Sequence, residues 1–177
     1  MAIRQITKEG DPALRKKCRP VTEFNERLGV LIDDMWDTMY KADGVGLAAP
    51  QVSVLRRIAV VDVEDGNKYE LVNPVIVESE GSQVGQEGCL SIPGYNCNVK
   101  RPYRVKVTAF DRFGNEQTYD VQGFPAVAVC HEIGQDREGK WHVYTGEDLK
   151  ARAFCHEIDH LDGVLFIDRM DKTVKKD

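Results

Sequence analysis

The spacing of apolar residues in the first quarter of the chain predicts an amphipathic helix over residues 25–42. Apolar side chains recur there every three or four positions, which places them on one face of a helix. The Asp43-Gly44 pair that follows is a turn signal, so the helix is expected to end before it. The apolar positions are Leu28, Leu31, Ile32, Met35, Trp36, Met39 and Tyr40.

Strands are predicted in the middle of the chain. Two runs rich in β-branched residues, 54–63 and 68–77, flank Asp65-Gly66-Asn67, which is a hairpin signal. A further alternating run, from Val99 to Phe110, predicts a third strand that ends at the turn 111–115. Together with a helix near the C-terminus, these runs indicate an α+β fold with mostly antiparallel strands around that helix.

The C-terminal helix is expected to begin near residues 146–148, and it carries His156-Glu157-Ile158-Asp159-His160. Positions i and i+4 lie on one face of a helix, so both imidazoles can bind one cation. Glu157 lies about 100° around the helix and can hold a water molecule at the open side of the metal. The sequence therefore predicts a catalytic metal site.

A third protein ligand is expected at such a site. Phe166 stands where a metzincin has its third histidine, and no glutamate follows Glu157 to complete a thermolysin-like set. Cys89, flanked by glycine and polar residues, is the best candidate. A buried structural cysteine is the alternative reading of that residue. An aspartate ligand also stays open, from Asp162, Asp168 or Asp171.

Three motifs together resemble the peptide deformylase family, and they occur in the family's order. They are Gly44-Val45-Gly46-Leu47-Ala48-Ala49-Pro50-Gln51, Glu87-Gly88-Cys89-Leu90-Ser91 and His156-Glu157-Ile158-Asp159-His160. The resemblance covers nearly the whole chain. It implies one deformylase-like domain over 1–177, in which antiparallel strands pack around the metal-binding helix.

The resemblance also implies the reaction: hydrolysis of the N-formyl group from the N-terminal methionine of nascent polypeptides, a step of protein biosynthesis that releases formate. Glu157 would be the acid and base, while the Gln51 amide and the Leu90 backbone N–H would stabilise the oxyanion. One divalent ion is implied, Fe²⁺ in the native enzyme, with Zn²⁺, Ni²⁺ or Co²⁺ as substitutes. Its ligands would be Cys89, His156 and His160. The implied substrate-binding residues are Gly44, Val45, Gly46, Leu47 and Gly88.

Composition narrows the setting of this reaction. A net charge of −5 and a pI near 5.4 argue against DNA or RNA as the main partner. No apolar run reaches the roughly 18 residues of a membrane span. Five cysteines without a secretion signal favour reduced thiols in a bacterial-type cytoplasm. Arg101 is expected to pair with a carboxylate such as Glu87. The expected partners are nascent peptides, with transient contact to the ribosome. The lysines near the C-terminus are weak candidates for that contact.

An internal repeat precedes the metal-binding helix. Residues 111–133 and 136–158 align at an offset of 25 with ten identities, where ordinary residue frequencies give about one or two. This predicts a tandem duplication whose first copy has lost its second histidine, so His131 and Glu132 are not expected to be catalytic. Residues 126–133 are predicted either to form a strand, paired through 134–139 with 140–145, or to form a displaced helix.

Two other functions stay open on these residues. One is a small metallopeptidase that uses Asp168 or another acid as its third ligand. The other is a non-catalytic, metal-binding protein whose site is blocked by the duplicated segment.

Overall fold

The computed structural model describes residues 2–122, 132–135, 141–144 and 149–170. Both helices and antiparallel strands are present, which confirms the α+β prediction. In chain order the helices and strands are α1 (Glu26–Lys41), β1 (Gly46–Ala48), β2 (Ile58–Val61), β3 (Tyr69–Glu80), β4 (Gln83–Cys89), β5 (Ile92–Arg101), β6 (Arg104–Phe110), β7 (Glu116–Gln122), β8 (Glu132–Gln135), β9 (Trp141–Tyr144) and α2 (Leu149–Leu161), with 3₁₀ turns at Pro12–Arg15, Ala49–Val52 and Phe166–Arg169.

A five-stranded sheet lies between the two helices. Its strand order is β1-β2-β3-β6-β7, and every neighbouring pair is antiparallel. Because successive residues of a strand point to opposite faces, Leu47 and Val60 pack with α1, whereas Ala48 and Ala59 pack with α2. At the far end of the sheet, the Phe154 ring of α2 makes edge contacts with the rings of Tyr69 and Tyr119. Helix α2 is therefore fixed against the sheet by apolar packing.

The predicted first helix and hairpin are confirmed. The side chain of Asn25 accepts a hydrogen bond from the Leu28 N–H (3.2 Å) and caps α1 one residue inside the predicted start. Strands β2 and β3 form the expected hairpin, with Val61 opposite Tyr69. The first strand is shorter than predicted, because the Val54 N–H bonds to Ala49 of the preceding 3₁₀ turn rather than to a strand.

The prediction of one continuous strand from Val99 to Phe110 was wrong. The chain ends β5 at Arg101, breaks at Pro102 and begins β6 at Arg104. Proline has no N–H to donate to a strand ladder, so it ends the first strand. The two strands join different sheets: β5 pairs with β4, whereas β6 lies in the main sheet.

The duplicated segment contains a hairpin in the described part of the chain. Glu132 pairs with Tyr144 and Gln135 pairs with Trp141, so the predicted strand pairing is present and continues two residues into the predicted turn. Residues 126–131, which include His131, lie outside the described residues. The main sheet takes β7 from the first copy, whereas α2 comes from the second. None of the helices in the described ranges is long and apolar enough to cross a membrane.

Candidate metal centre

Three potential metal ligands meet between strand β4 and helix α2. Cys89 is the last residue of β4, and His156 and His160 lie one turn apart on α2. One ligand atom from each residue lies within 4.8 Å of the other two, and Cys89 Sγ is 3.3 Å from His160 Nε2. The residues predicted to bind a metal are therefore close together in space.

The chemistry of these donors fits a divalent transition-metal ion. A thiolate and two imidazoles suit iron, zinc, cobalt and nickel, and three protein ligands leave a position open for water or substrate. His156 Nδ1 lies 3.1 Å from a carboxylate oxygen of Glu87, so Nε2 is the nitrogen that can face a metal. A histidine held in this way has a fixed ring orientation, as metal-binding histidines usually do.

A buried ion-pair network supports the centre. Arg101 donates from Nε and Nη2 to the two carboxylate oxygens of Glu87, both at 2.9 Å, which confirms the predicted pairing. Its Nη1 also bonds to Asp159 on α2. Burial alone would raise the pKa of Glu87, but hydrogen bonds from Arg101 and His156 prevail and lower it to about 2. Glu87 is therefore a carboxylate at any ordinary pH, and it joins β4, β5 and α2.

Glu157 is buried beside the backbone of Gly46. A Cβ at position 46 would lie 2.4 Å from Glu157 Oε1, so glycine is needed for this close approach. Within the described residues, Oε2 of Glu157 has no hydrogen-bond partner. Burial raises the pKa of Glu157 to about 7, although the charge of His156 opposes this. A carboxyl group with this pKa can both take and give a proton near neutral pH.

The side-chain amide of Gln51 is oriented toward the cysteine. Its Oε1 accepts a hydrogen bond from the Ala48 N–H at 2.8 Å, which leaves the NH₂ group to point the other way. Nε2 lies 3.4 Å from Cys89 Sγ and 3.2 Å from Ser91 Oγ. Leu90 stands between these two contacts, so Gln51 and Leu90 lie on the same side of the centre.

A sequence model of the family described as "Polypeptide deformylase" matches residues 3–135 and 133–176. The chain belongs to this family. As a deformylase-family member it is an enzyme, a metal-dependent hydrolase. The two matched stretches overlap, and each contains one complete copy of the repeat.

Curated relatives and solved structures agree with this assignment. The chain is 51% identical over 177 residues to the peptide deformylase of Caldanaerobacter subterraneus, covering 100% of this chain and 95% of the relative. It is 50% identical over 171 residues to that of Heliobacterium modesticaldum, covering 97% and 96%. The crystal structure of the Thermotoga maritima peptide deformylase matches with a TM-score of 0.81 and 37% identity, over 97% of this chain and 99% of that one.

The two histidines of this deformylase-family site have opposite pKa shifts. Burial favours a neutral ring at His156, but hydrogen bonds with Cys89 and Glu87 outweigh it and raise its pKa to about 10. Burial, and then the charge of His156, lowers the pKa of His160. The Glu87 carboxylate, which helps to hold a proton on His156, would equally favour a metal cation in place of that proton.

The predicted substrate-binding residues lie around the same centre. A Cβ on Gly44 would lie 2.7 Å from Leu90 Cδ1, and one on Gly88 would lie 2.3 Å from Asn96 Oδ1. Val45 packs at the edge of the α2 core. The Leu47 side chain is fully buried among residues of the α1 core, so Leu47 can contact a peptide only through its backbone.

Other residues singled out in the sequence have structural surroundings. Burial raises the pKa of the Cys18 and Cys155 thiols to about 11, and Cys97 is also buried, as is typical of structural cysteines. The Asp168 carboxylate pairs with Arg15 and accepts a bond from the Leu165 N–H (2.9 Å). Asp168 thus has partners other than the two histidines. Asp162 pairs with Arg57 at 2.6 Å, and Asp171 lies outside the described residues. Cys130 lies outside the described residues.

Two residues near the centre were missed by sequence reasoning. Ser91 contacts Gln51, and the E-G-C-L-S motif was a signal that could have identified it. Arg152 on α2 bonds to the Gln86 carbonyl and lies 3.8 Å from a Glu87 oxygen. No local pattern distinguishes Arg152 from an ordinary exposed helix residue.

Proposed function

We propose that this protein hydrolyses the N-formyl amide of N-formyl-methionyl polypeptides and releases formate. The observation that carries the proposal is the grouping of Cys89, His156 and His160 within 4.8 Å, with the buried Glu157 beside them. Membership of the polypeptide deformylase family supports it. Under this proposal the three grouped residues hold the metal ion.

Hydrolysis of an amide needs an activated water, a group that carries protons and a site for the negative charge on the carbonyl oxygen. When bound, the ion would lower the pKa of a water molecule and polarise a carbonyl group. Glu157 takes the proton released by the water and delivers it to the amide nitrogen as the C–N bond breaks. The products are formate and a peptide with a free amino terminus.

The oxyanion is stabilised by two donors from different elements. The Gln51 NH₂ group comes from the 3₁₀ turn Ala49–Val52, and the Leu90 N–H comes from the end of β4. The bond from Ala48 to Gln51 Oε1 supports this role, because it fixes the amide with its NH₂ group toward Cys89. Loss of one such donor typically costs about 10²–10³ in kcat.

We propose Fe²⁺ as the native ion, with Zn²⁺, Ni²⁺ and Co²⁺ as substitutes. The thiolate and imidazole donors support all four ions.

Within the described residues β1 is an edge strand of the main sheet, so an extended peptide can pair beside Gly44–Leu47, with Gly88 on the opposite side. Nascent chains in a bacterial-type cytoplasm are the proposed substrates, with transient ribosome contact. The basic tail after residue 170 lies outside the described residues.

We infer that the second copy of the repeat is the working one. His156 and Glu157 have identical counterparts 25 positions earlier, His131 and Glu132, but three other α2 residues at the centre do not. Arg152 corresponds to Val127, Phe154 to Val129 and His160 to Gln135. The blocked, non-catalytic reading is the competing hypothesis.

The test is formate release from a formyl-methionyl tripeptide by protein loaded with Ni²⁺, or purified anaerobically with Fe²⁺. We expect turnover by the wild type, and a loss of at least about 10²-fold in kcat for Glu157→Ala with bound metal unchanged. Glu64→Ala, which changes an exposed carboxylate, is the control. Folded, metal-loaded wild type that releases no formate would favour the blocked reading, and cleavage of unformylated peptides would favour a peptidase.

A further inference from the structure

The segment before the first 3₁₀ turn crosses behind the two proposed oxyanion donors. The backbone of this segment forms hydrogen bonds first with the 3₁₀ turn that contains Gln51 and then with the residue after Leu90. The Thr7 N–H donates to the Gln51 carbonyl at 2.7 Å, and two residues later the Glu9 N–H donates to the Ser91 carbonyl at 2.9 Å. Residues 2–11 therefore bridge the turn that carries Gln51 and the end of β4.

Side chains of this bridging segment reinforce both contacts. Thr7 Oγ1 lies 2.8 Å from Ser53 Oγ, just after the 3₁₀ turn. Lys8 Nζ donates to the Leu90 carbonyl at 2.7 Å. Lys8 thus bonds to the peptide unit immediately after the Leu90 N–H, and it brings a charged donor, which makes a stronger hydrogen bond than a neutral one.

Both ends of the bridging segment are anchored to the rest of the fold. At its start, the Ala2 N–H donates to Asp34 on α1 at 2.6 Å, and the Arg4 N–H donates to Thr38 at 2.9 Å. At its end, the Asp11 side chain accepts a bond from Ala13 and caps the 3₁₀ turn Pro12–Arg15. A segment held at both ends can restrain what it touches in the middle.

We infer that the bridging segment sets the position of Leu90 relative to Gln51, with Lys8 as the positioning residue. The inference rests on the proposed function, because these two residues matter together only as oxyanion donors. Gln51 and Leu90 come from separate elements, and the Gln51 amide contacts Cys89 and Ser91, the residues on either side of Leu90. Catalytic donors lose much of their effect when displaced by about 1 Å.

The test compares Lys8→Met, Lys8→Arg and the control Lys17→Met, which changes another exposed lysine of the N-terminal region. All are loaded with Ni²⁺ and assayed with the formyl-methionyl tripeptide well below their melting midpoints. For Lys8→Met we expect a fall of about tenfold in kcat at unchanged KM and metal content, because only the transition state uses the two donors. Lys8→Arg should recover most of kcat, and Lys17→Met should match the wild type.

Each other outcome overturns the inference. A wild-type kcat in Lys8→Met, with or without a lower melting midpoint, would make the contact merely structural. A higher KM at unchanged kcat would mean that Lys8 binds the peptide, and a loss that Lys8→Arg does not restore would exclude the role of the positive charge. An inactive wild type would instead refute the proposed function, which keeps the two failures distinct.

Discussion

Glu87 connects three basic side chains at the centre through its two carboxylate oxygens. Both oxygens accept from Arg101, one also lies 3.1 Å from His156 Nδ1, and Arg152 lies 3.8 Å from the other. Because the side chain is buried, these partners determine whether it stays ionised. The charge of Glu87 is therefore tied both to stability and to the orientation of His156.

The first prediction concerns acid stability. The pKa of Glu87 is lowered to about 2 in the folded protein, against 4.5 for the free group, so the ionised form stabilises the fold above pH 4.5. This contribution, on the order of 3 kcal/mol, is lost as the pH falls from about 4.5 toward 2. Glu87→Gln should remove that part of the pH dependence in urea unfolding of the metal-stripped protein.

A control for Glu87→Gln is Glu78→Gln, which changes an exposed glutamate that pairs with Lys106 at 3.0 Å. Exposed pairs contribute little, so its unfolding curves should follow the wild type at every pH. If Glu87→Gln and the wild type lost stability in parallel below pH 4.5, the assignment of this acid sensitivity to Glu87 would be wrong.

At the scale of elements, the centre depends on how α2 is held against β4, since each carries part of the proposed ligand set. Arg152 makes this connection: its guanidinium bonds to the Gln86 carbonyl and lies over Gly85. A Cβ at position 85 would lie 2.2 Å from Arg152 Nη1, so the glycine leaves the space that the guanidinium occupies. The first copy of the repeat has Val127 at this position and cannot make the contact.

We predict that Arg152→Val lowers the affinity for Ni²⁺ by about tenfold, because residues that support metal ligands typically contribute 10–100-fold. Gly85→Ala should produce a similar loss by displacing the guanidinium, and should add nothing further to Arg152→Val. Chelator competition measures these affinities. Arg104→Val, at an arginine that pairs with Glu80 and Asp120 away from α2, is the control. Additive losses in the double variant would contradict the shared contact.

At the scale of the whole molecule, the described sheet and helix are assembled from different copies of the repeat. Strand β7 of the first copy pairs with β6 along its length, from Phe110–Glu116 to Arg104–Gln122. Helix α2 of the second copy packs against this sheet, whereas β9 of the second copy pairs with β8. The contacts described for the centre involve β4, β5, the turn Ala49–Val52 and α2.

Deletion of residues 123–147 tests this assembly. The deletion removes one repeat length and joins Gln122 to Asp148, so it retains both β7 and α2. We predict that the shortened protein binds Ni²⁺ and releases formate with a kcat within about threefold of the full chain. A control deletion of 111–135 should act similarly if β9 can replace β7. A full chain that is inactive beside an active shortened protein would show that the duplicated segment blocks the site.

The sequence predicted the parts of this fold that have a local signal. Period-3.6 spacing identified α1, the Asp65-Gly66-Asn67 turn identified the β2–β3 hairpin, and three short motifs brought Gln51, Cys89 and the α2 histidines into one hypothesis. Prediction from the sequence failed where a strand boundary or a contact depends on residues far away in the chain. The break at Pro102 assigns neighbouring strands to different sheets, and the contacts of Arg152 and Lys8 join residues 66 and 82 positions apart.

The mixed origin of β7 and α2 has a consequence for how this protein can evolve. Each copy contributes one described element to the packing of sheet and helix, β7 from the first copy and α2 from the second. Natural selection on catalysis then acts on the strand of the first copy and on the helix of the second. We expect mutations to accumulate freely in the complementary halves, 123–135 and 136–147, until the two copies no longer reveal their common ancestor.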